Sequence, residues 1–403
     1  MLRVCFAFGV ILLAAQGFAA DGYVSLFNGK DLTGWTKRGG DATYSVDGDS
    51  IVGKRGPGPN TFLCTDKKFA NFILKFEFKF DEHVNSGVQF RSNAKKDGDR
   101  ETVFGYQCEM DADKMTGGVY DESRRNRWVD PLTEEVQERC KTAVKRDDWN
   151  KMTIQCVGPS IKTWLNGQPI SDFIDTVDAE GFFGLQVHSA PGGQVRWKNI
   201  MVKELPETPW IQLFNDKELS NLEVKPAGKW IMNDEGIVHA TSVAGESRDG
   251  LVLTKKPYSN FAGKVSFKQV KGNSGLYFAA TENDRPYWVN GIQGEVDGMA
   301  TGGIWYVTEG RWIVAPDTKR EIIEKSFKND AWNDFSVVGV GDRIVTNLNG
   351  NEISQVKNSK LSITGKLGLQ LHGGADMEYY FKDFYVMPIS DEVLGYITST
   401  VEP

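Results

Sequence analysis

In Ile73-Leu74-Lys75-Phe76-Glu77-Phe78-Lys79-Phe80 apolar and charged side chains alternate residue by residue from Leu74 onward. Side chains of a strand point to opposite faces in turn, so Phe76, Phe78 and Phe80 share one face while Lys75, Glu77 and Lys79 share the other. Such a segment reads as a half-buried strand of an antiparallel sheet. Lys264-Val265-Ser266-Phe267-Lys268 repeats the pattern far downstream. Between these points strand-like stretches recur, separated by Asn-Gly, Gly-Gly and Asp-Gly turns, and the only helical signal is a turn near Glu134 to Arg139. With 43 glycines and 11% aromatic residues in 403 positions, the composition suits many short strands joined by tight turns. An all-β protein is expected.

The chain is too long for one typical domain, and it carries an internal echo. Leu26-Phe27-Asn28-Gly29-Lys30-Asp31-Leu32 returns as Leu213-Phe214-Asn215-Asp216-Lys217-Glu218-Leu219, and Asn85-Ser86-Gly87 as Asn273-Ser274-Gly275. Gln107-Cys108-Glu109-Met110-Asp111 returns as Gln293-Gly294-Glu295-Val296-Asp297, and Gly184-Leu185-Gln186-Val187-His188 as Gly368-Leu369-Gln370-Leu371-His372. The offset stays between 183 and 188 residues throughout. Two units of that length mean a duplicated globular domain, each copy a β-sandwich of about ten or more strands. The division expected is a signal peptide over 1–20, a first domain over 21–205, a second over 209–390 and a tail over 391–403, with the prolines of Leu205-Pro206-Glu207-Thr208-Pro209 stiffening the seam.

Residues 1–20 run from Arg3 through an apolar stretch, Val4 to Ala15, to small residues before a cleavage point favoured after Ala19, the order of a secretory signal. The apolar stretch is shorter than the ~20 residues of a membrane span. A secreted or periplasmic protein with no transmembrane span is expected. Cys64, Cys108, Cys140 and Cys156 then remain, with no zinc spacing among them, as buried thiols or as one or two bridges. A formal charge of -7 and the absence of a basic stripe disfavour nucleic acid as a partner.

If Tyr106, Cys108 and Met110 point inward, Gln107, Glu109 and Asp111 line the opposite face. By the same alternation Gln186 and His188 face outward, as do Gln89 and Arg91. His188 and His372 occupy the same slot of the repeat, each two residues after a matched glutamine. A sheet face bearing His, Glu, Asp, Gln and Arg has the groups of a carbohydrate pocket with acid–base capacity. In the second copy Glu295, Asp297, Gln370 and His372 persist, whereas Arg91 aligns with Ala279, Gln89 with Tyr277 and Tyr120 with Trp305. The first copy, keeping its cation, is the expected catalytic one. The charged insertion Asp121 to Trp128 reads as a substrate-facing loop or a solvated one, and the solvated reading is favoured.

Phe27-Asn28-Gly29-Lys30-Asp31-Leu32-Thr33-Gly34-Trp35, the Asn85 to Arg91 stretch, Gly105 to Glu109, Trp149-Asn150, Trp164 to Gly167 and Gly184 to His188, taken in order, resemble the 3-keto-disaccharide hydrolase family. The resemblance covers nearly the whole mature chain, twice. It implies tandem concanavalin A-like jelly-roll sandwiches acting on glycosides already oxidised at carbon 3, by elimination and rehydration that amount to hydrolysis. It places the site at Glu109, Asp111, His188 and Arg91 as reacting groups, with Gln89, Gln107, Tyr120 and Gln186 binding substrate. In that chemistry a ketone at carbon 3 acidifies the hydrogen on carbon 2, and Glu109 or His188 is the candidate base. No organic cofactor is implied. A divalent cation held by the histidine and carboxylates is a second way of polarising the ketone, which the sequence leaves open. His188-Ser189 departs from the family's His-Gly, which His372-Gly373 retains.

Two other readings stand beside this one. A retaining glucanase on the same sandwich needs two spaced carboxyl groups, and an amide, Gln107, stands at the first position of the strand. A lectin-like module would bind carbohydrate unchanged, with Trp164 or Tyr277 stacking on sugar rings.

Overall fold

The computed structural model describes residues 21–403 apart from 83–84, 99, 112, 114, 131, 190–192, 226, 243–244, 284–288 and 358–359. The signal peptide expected over 1–20, and His83, lie outside the described residues.

Phe72–Phe80 is a strand in which Phe76, Phe78 and Phe80 are buried and the intervening charged residues are half-exposed. It sits centrally in an eight-stranded antiparallel sheet, between Asn150–Val157 and Gln194–Glu204. A six-stranded sheet packs against this one through a core that includes Trp197, Phe90, Tyr106 and Leu185. Its strands run in the order Trp35–Gly39, Thr61–Thr65, Phe182–Val187, Ser86–Asp97, Arg100–Met110, Val119–Glu122. The second half repeats the plan with eight- and seven-stranded sheets around its own core. The chain is therefore all-β, two jelly-roll sandwiches in tandem: the period-2 pattern leads one to expect the strands, the internal echo the duplication, and the family resemblance the jelly roll. The helix near Glu134 is longer than expected, Glu134–Ala143, capped by Thr133, whose side chain accepts from the Val136 N–H.

All four cysteines of the described chain are buried free thiols, with Cys108 Sγ 3.6 Å from Met152 Sδ. Burial pushes Cys64 and Cys156 up to about 12, which leaves them inert as nucleophiles near neutral pH.

The halves are joined by more than the seam. Ile73, Val157 and Leu205 of the first half form one apolar cluster with Ala262, Val338 and Met387 of the second. Arg343 binds Asp172 through two bonds of 2.8 Å. The insertion expected to be solvated belongs to this junction. Asp121 is fully buried and accepts from Arg124 and Arg125, Arg125 reaches Asp175 at 2.6 Å, and Arg125 and Arg127 both donate to the Gly350 carbonyl of the second half. A hydrophobic pattern cannot reveal this, because beyond the local Asp121 the partners are a carboxylate about 50 positions away and a backbone carbonyl about 225 away. The tail also returns to the first half. Its helix, Asp391–Thr398, is capped by Ser390, and Lys162 Nζ donates to the carbonyls of Ile397, at 2.6 Å, and Ser399.

Candidate active site

Directly opposed residues in a sheet share a face, so the register assembles the site. One row across the six-stranded sheet reads Phe62, Gln186, Gly87, Glu109. The next reads Cys64, Gly184, Gln89, Gln107, Tyr120. All of these turn away from the core that takes Leu185, Val88, Tyr106 and Cys108. The expected outward placement of Gln89, Gln107, Glu109 and Gln186 therefore holds, and Tyr120 joins them.

The polar groups form a directed chain. Ser92 Oγ donates to Gln89 Oε1 at 2.6 Å, Gln89 Nε2 to Gln107 Oε1 at 2.8 Å, and Gln107 Nε2 to Glu109 Oε2 at 2.9 Å. Asn85 Nδ2 donates to Glu109 Oε1 at 2.5 Å and to Asp111 Oδ2 at 3.3 Å. Gln107 lies over Gly87, where a β-carbon would meet its Cγ at 2.6 Å, so the absence of a side chain there lets the amide reach Glu109. Burial pushes Glu109 up to about 7; the two amide donors hold it down and the Asp111 and Glu122 charges add to the rise. The result is a carboxyl group that changes protonation near neutral pH.

Beside Glu109 the sheet ends in Tyr120 and Glu122, whose protons burial makes harder to lose. Glu122 accepts from Asn60 Nδ2 at 3.1 Å, and Asn60 Oδ1 takes the Ser189 N–H at 2.9 Å. Asn60, Phe62, Glu101, Glu122 and His188 line a depression of about 450 Å³. His188 is placed at its rim, half-exposed, by a backbone bond to the Asn85 carbonyl. Gln186, between Phe62 and Gly87, is fully buried, and neither its amide oxygen nor its nitrogen has a protein partner.

Arg91 does not belong to this face, which corrects the expectation. The register shifts between Phe90 and Asn93, where Arg91 takes φ 44° at a bulge and turns out of phase with Gln89. Its buried guanidinium donates to the carbonyls of Ala70, Gly158 and Asp178 and to Asn71 Oδ1, away from Glu109. Asp111 stays near Glu109 but also accepts the Asp113 N–H at 3.0 Å, which anchors the following turn. Sequence reasoning missed Asn60, Asn85 and Glu122. Asn85 had a signal, its return as Asn273, and Glu122 stands two residues beyond Tyr120 on the same alternation.

The second copy keeps part of the arrangement. Asn273 and Gln293 donate to Glu295, which burial pushes up to about 7, and Asn273 also reaches Asp297. Gln370, however, donates to Asp249 at 2.7 Å and to Tyr277 at 3.3 Å, and His372 is exposed with its Nδ1 against the Gly373 carbonyl. Trp305 and Val307 stand where Tyr120 and Glu122 do. The sugar-stacking candidates Trp164 and Tyr277 are both buried.

Among the described residues no three of His, Cys, Asp and Glu come together as metal ligands, and both Glu109 oxygens face N–H donors that a cation would have to displace. Among the described residues no helix is long and apolar enough to cross a membrane.

Solved structures with a similar fold include a presumed glycosyl hydrolase from Parabacteroides distasonis, 19% identical over 45% of this chain and 100% of that one with a TM-score of 0.33. The carbohydrate-binding module CBM66 from Bacillus subtilis is 16% identical over 41% of this chain and 95% of that one, with a TM-score of 0.32. A comparison with curated proteins finds no match. A family profile described as 3-keto-alpha-glucoside-1,2-lyase-like domain matches residues 22–203 and again 209–387. Matched twice, over nearly all of both sandwiches, the chain belongs to that family of carbohydrate-active proteins.

Proposed function

We propose that the first copy cleaves 3-keto-glycosides by elimination and rehydration, in a protein exported by its first twenty residues. The observation that carries this reading is Glu109: a buried carboxyl pushed up to about 7, oriented by Asn85 and Gln107 beside an unpartnered amide, Gln186. Ionised Glu109 takes the hydrogen from carbon 2 of the sugar, and the electron pair moves into an enolate whose charge rests on the carbon 3 oxygen. The Gln186 N–H, with no competing acceptor, is the donor available to that oxygen, the part first expected of Arg91. The enolate then expels the glycosidic oxygen from carbon 1, and His188 at the rim supplies its proton. Water adds back, its hydroxyl to carbon 1 and its proton to His188, and the Glu109 proton returns to carbon 2, so the sum is hydrolysis and both groups are restored. Tyr120 and the Asn60–Glu122 pair border the sugar.

Product analysis tests this with a 3-keto-glucoside and its unoxidised parent. Aglycone is expected from the oxidised sugar alone, with Glu109→Gln slower by about 10²–10⁴-fold. Because the base form exists above about 7, kcat/KM is expected to fall about tenfold per pH unit below that value. Equal cleavage of both sugars, or an undiminished Glu109→Gln rate, overturns the reading.

A further inference from the structure

The two copies place the same amide, Gln186 and Gln370, in the same register and surround it differently. In the second copy Asp249 accepts the Gly373 N–H with one oxygen and the Gln370 side chain with the other, at 2.8 and 2.7 Å. Tyr277, on the neighbouring strand, adds a second acceptor at 3.3 Å. Gln370 Oε1 takes the Gln293 amide at 3.2 Å, so its donor and acceptor are both used. In the first copy Asn60 replaces Asp249. Its oxygen still takes the equivalent N–H, from Ser189, but its other atom is a nitrogen, which cannot accept from Gln186 and turns to Glu122 instead. Val307 stands in the second copy where Glu122 does, so the Asn60–Glu122 pair has changed as a unit. Gln89 replaces Tyr277 and spends its amide on Gln107. These three differences leave Gln186 buried with its oxygen and nitrogen both unpartnered.

A buried amide without a partner is costly unless something else bonds it. We propose that the chain binds one sugar, in the first copy, with Gln186 as the amide that recognises a sugar oxygen, while the second copy is locked by its own Asp249 and Tyr277 and serves as scaffold. This rests on the carbohydrate reading above and adds the number and location of the binding sites. The duplicate has kept its polar floor and bonded the amide with its own side chains.

Titration calorimetry of the full mature chain with methyl 3-keto-glucoside and with its parent glucoside reads the stoichiometry. One sugar per chain is expected, bound at least tenfold more weakly by Gln186→Leu and by the closing variant Asn60→Asp/Gln89→Tyr/Glu122→Val. The opening variant Asp249→Asn/Tyr277→Gln/Val307→Glu is expected to raise the stoichiometry towards two. Without sugar, Asp249→Asn is expected to lower the Tm, and Asn60→Asp/Glu122→Val to raise it. Two sugars per wild-type chain, or binding that survives both Gln186→Leu and the closing variant, overturns the inference and leaves the carbohydrate reading standing. Tm shifts in the expected directions with neither sugar bound would sink the carbohydrate reading and keep the lock. An unchanged Tm for Asp249→Asn removes the lock itself.

Discussion

Arg91 holds three backbone carbonyls and the Asn71 amide oxygen from a fully buried position. Truncating it leaves those acceptors facing nothing, so Arg91→Ala is expected to cost about 3–5 kcal/mol of stability. The folded fraction should keep its rate of keto-glycoside cleavage; a variant of unchanged Tm and lost kcat would return Arg91 to the chemistry. Strict alternation places Arg91 beside Gln89, and only the bulge, with Arg91 at φ 44° and its counterpart Ala279 at 52°, reverses the phase. One inserted residue has no signature in a period-2 pattern, which is why this position was misread while Gln107, Glu109 and Gln186 were legible. Glu109 and Glu295 carry a second consequence. Each rises from 4.5 to about 7 on folding, so the folded state binds the proton more tightly than the unfolded one. Their contribution is fully present below pH 4.5 and is lost as pH climbs through 7, by up to about 3 kcal/mol for each carboxyl. Urea unfolding at pH 5 and pH 8 should show this difference, and Glu109→Gln should remove about half of it.

At the scale of the strand, the site depends on where side chains are missing as much as on where they stand. Gly87 and Gly275 occupy equivalent places opposite Glu109 and Glu295, and a β-carbon at either would strike the glutamine that orients the carboxyl, at 2.6 Å from Gln107 Cγ and 2.3 Å from Gln293 Nε2. Gly87→Ala is therefore expected to push Gln107 off Glu109 and to lower both stability, by about 1–3 kcal/mol, and the rate. A crystal structure of the variant checks the cause; an unmoved Gln107 beside an intact rate rules it out. The Asn-Ser-Gly of the repeat returns at this place in both copies, though the sequence alone marks it only as part of the duplication and of the family motif. Asn60 and Glu122 were not legible for a different reason. They lie 62 residues apart, one just before Thr61–Thr65 and the other on the edge strand Val119–Glu122, and no local pattern joins them.

Across the whole molecule the duplication is written in the sequence, but the junction between the copies is not, because its partners are scattered through loops and tail. The last thirteen residues show this best. Read as a tail, they contain a helix whose Val393 and Ile397 enter the apolar cluster shared by both halves. Lys162, Gln155 and Thr153, all on the first sandwich, reach respectively the carbonyls of Ile397 and Ser399, the carbonyl of Tyr396 and the Glu402 carboxylate. The chain end of the second domain thus closes over the first, opposite in sequence to the Leu205–Pro209 seam. Removing 391–403 uncovers Ile73, Val157 and Val345 and strips the buried Lys162 of its acceptors, while each sandwich keeps its own core. Calorimetry of the truncated chain is expected to resolve two transitions where the full chain shows one, because each domain then unfolds without the other. The tail packs on strands of the eight-stranded sheet and the site lies on the six-stranded one, so aglycone release at low temperature should persist. A single transition at an unchanged Tm would mean that the Arg124–Arg127 contacts and the seam suffice to couple the halves, and the tail would lose the role given to it here.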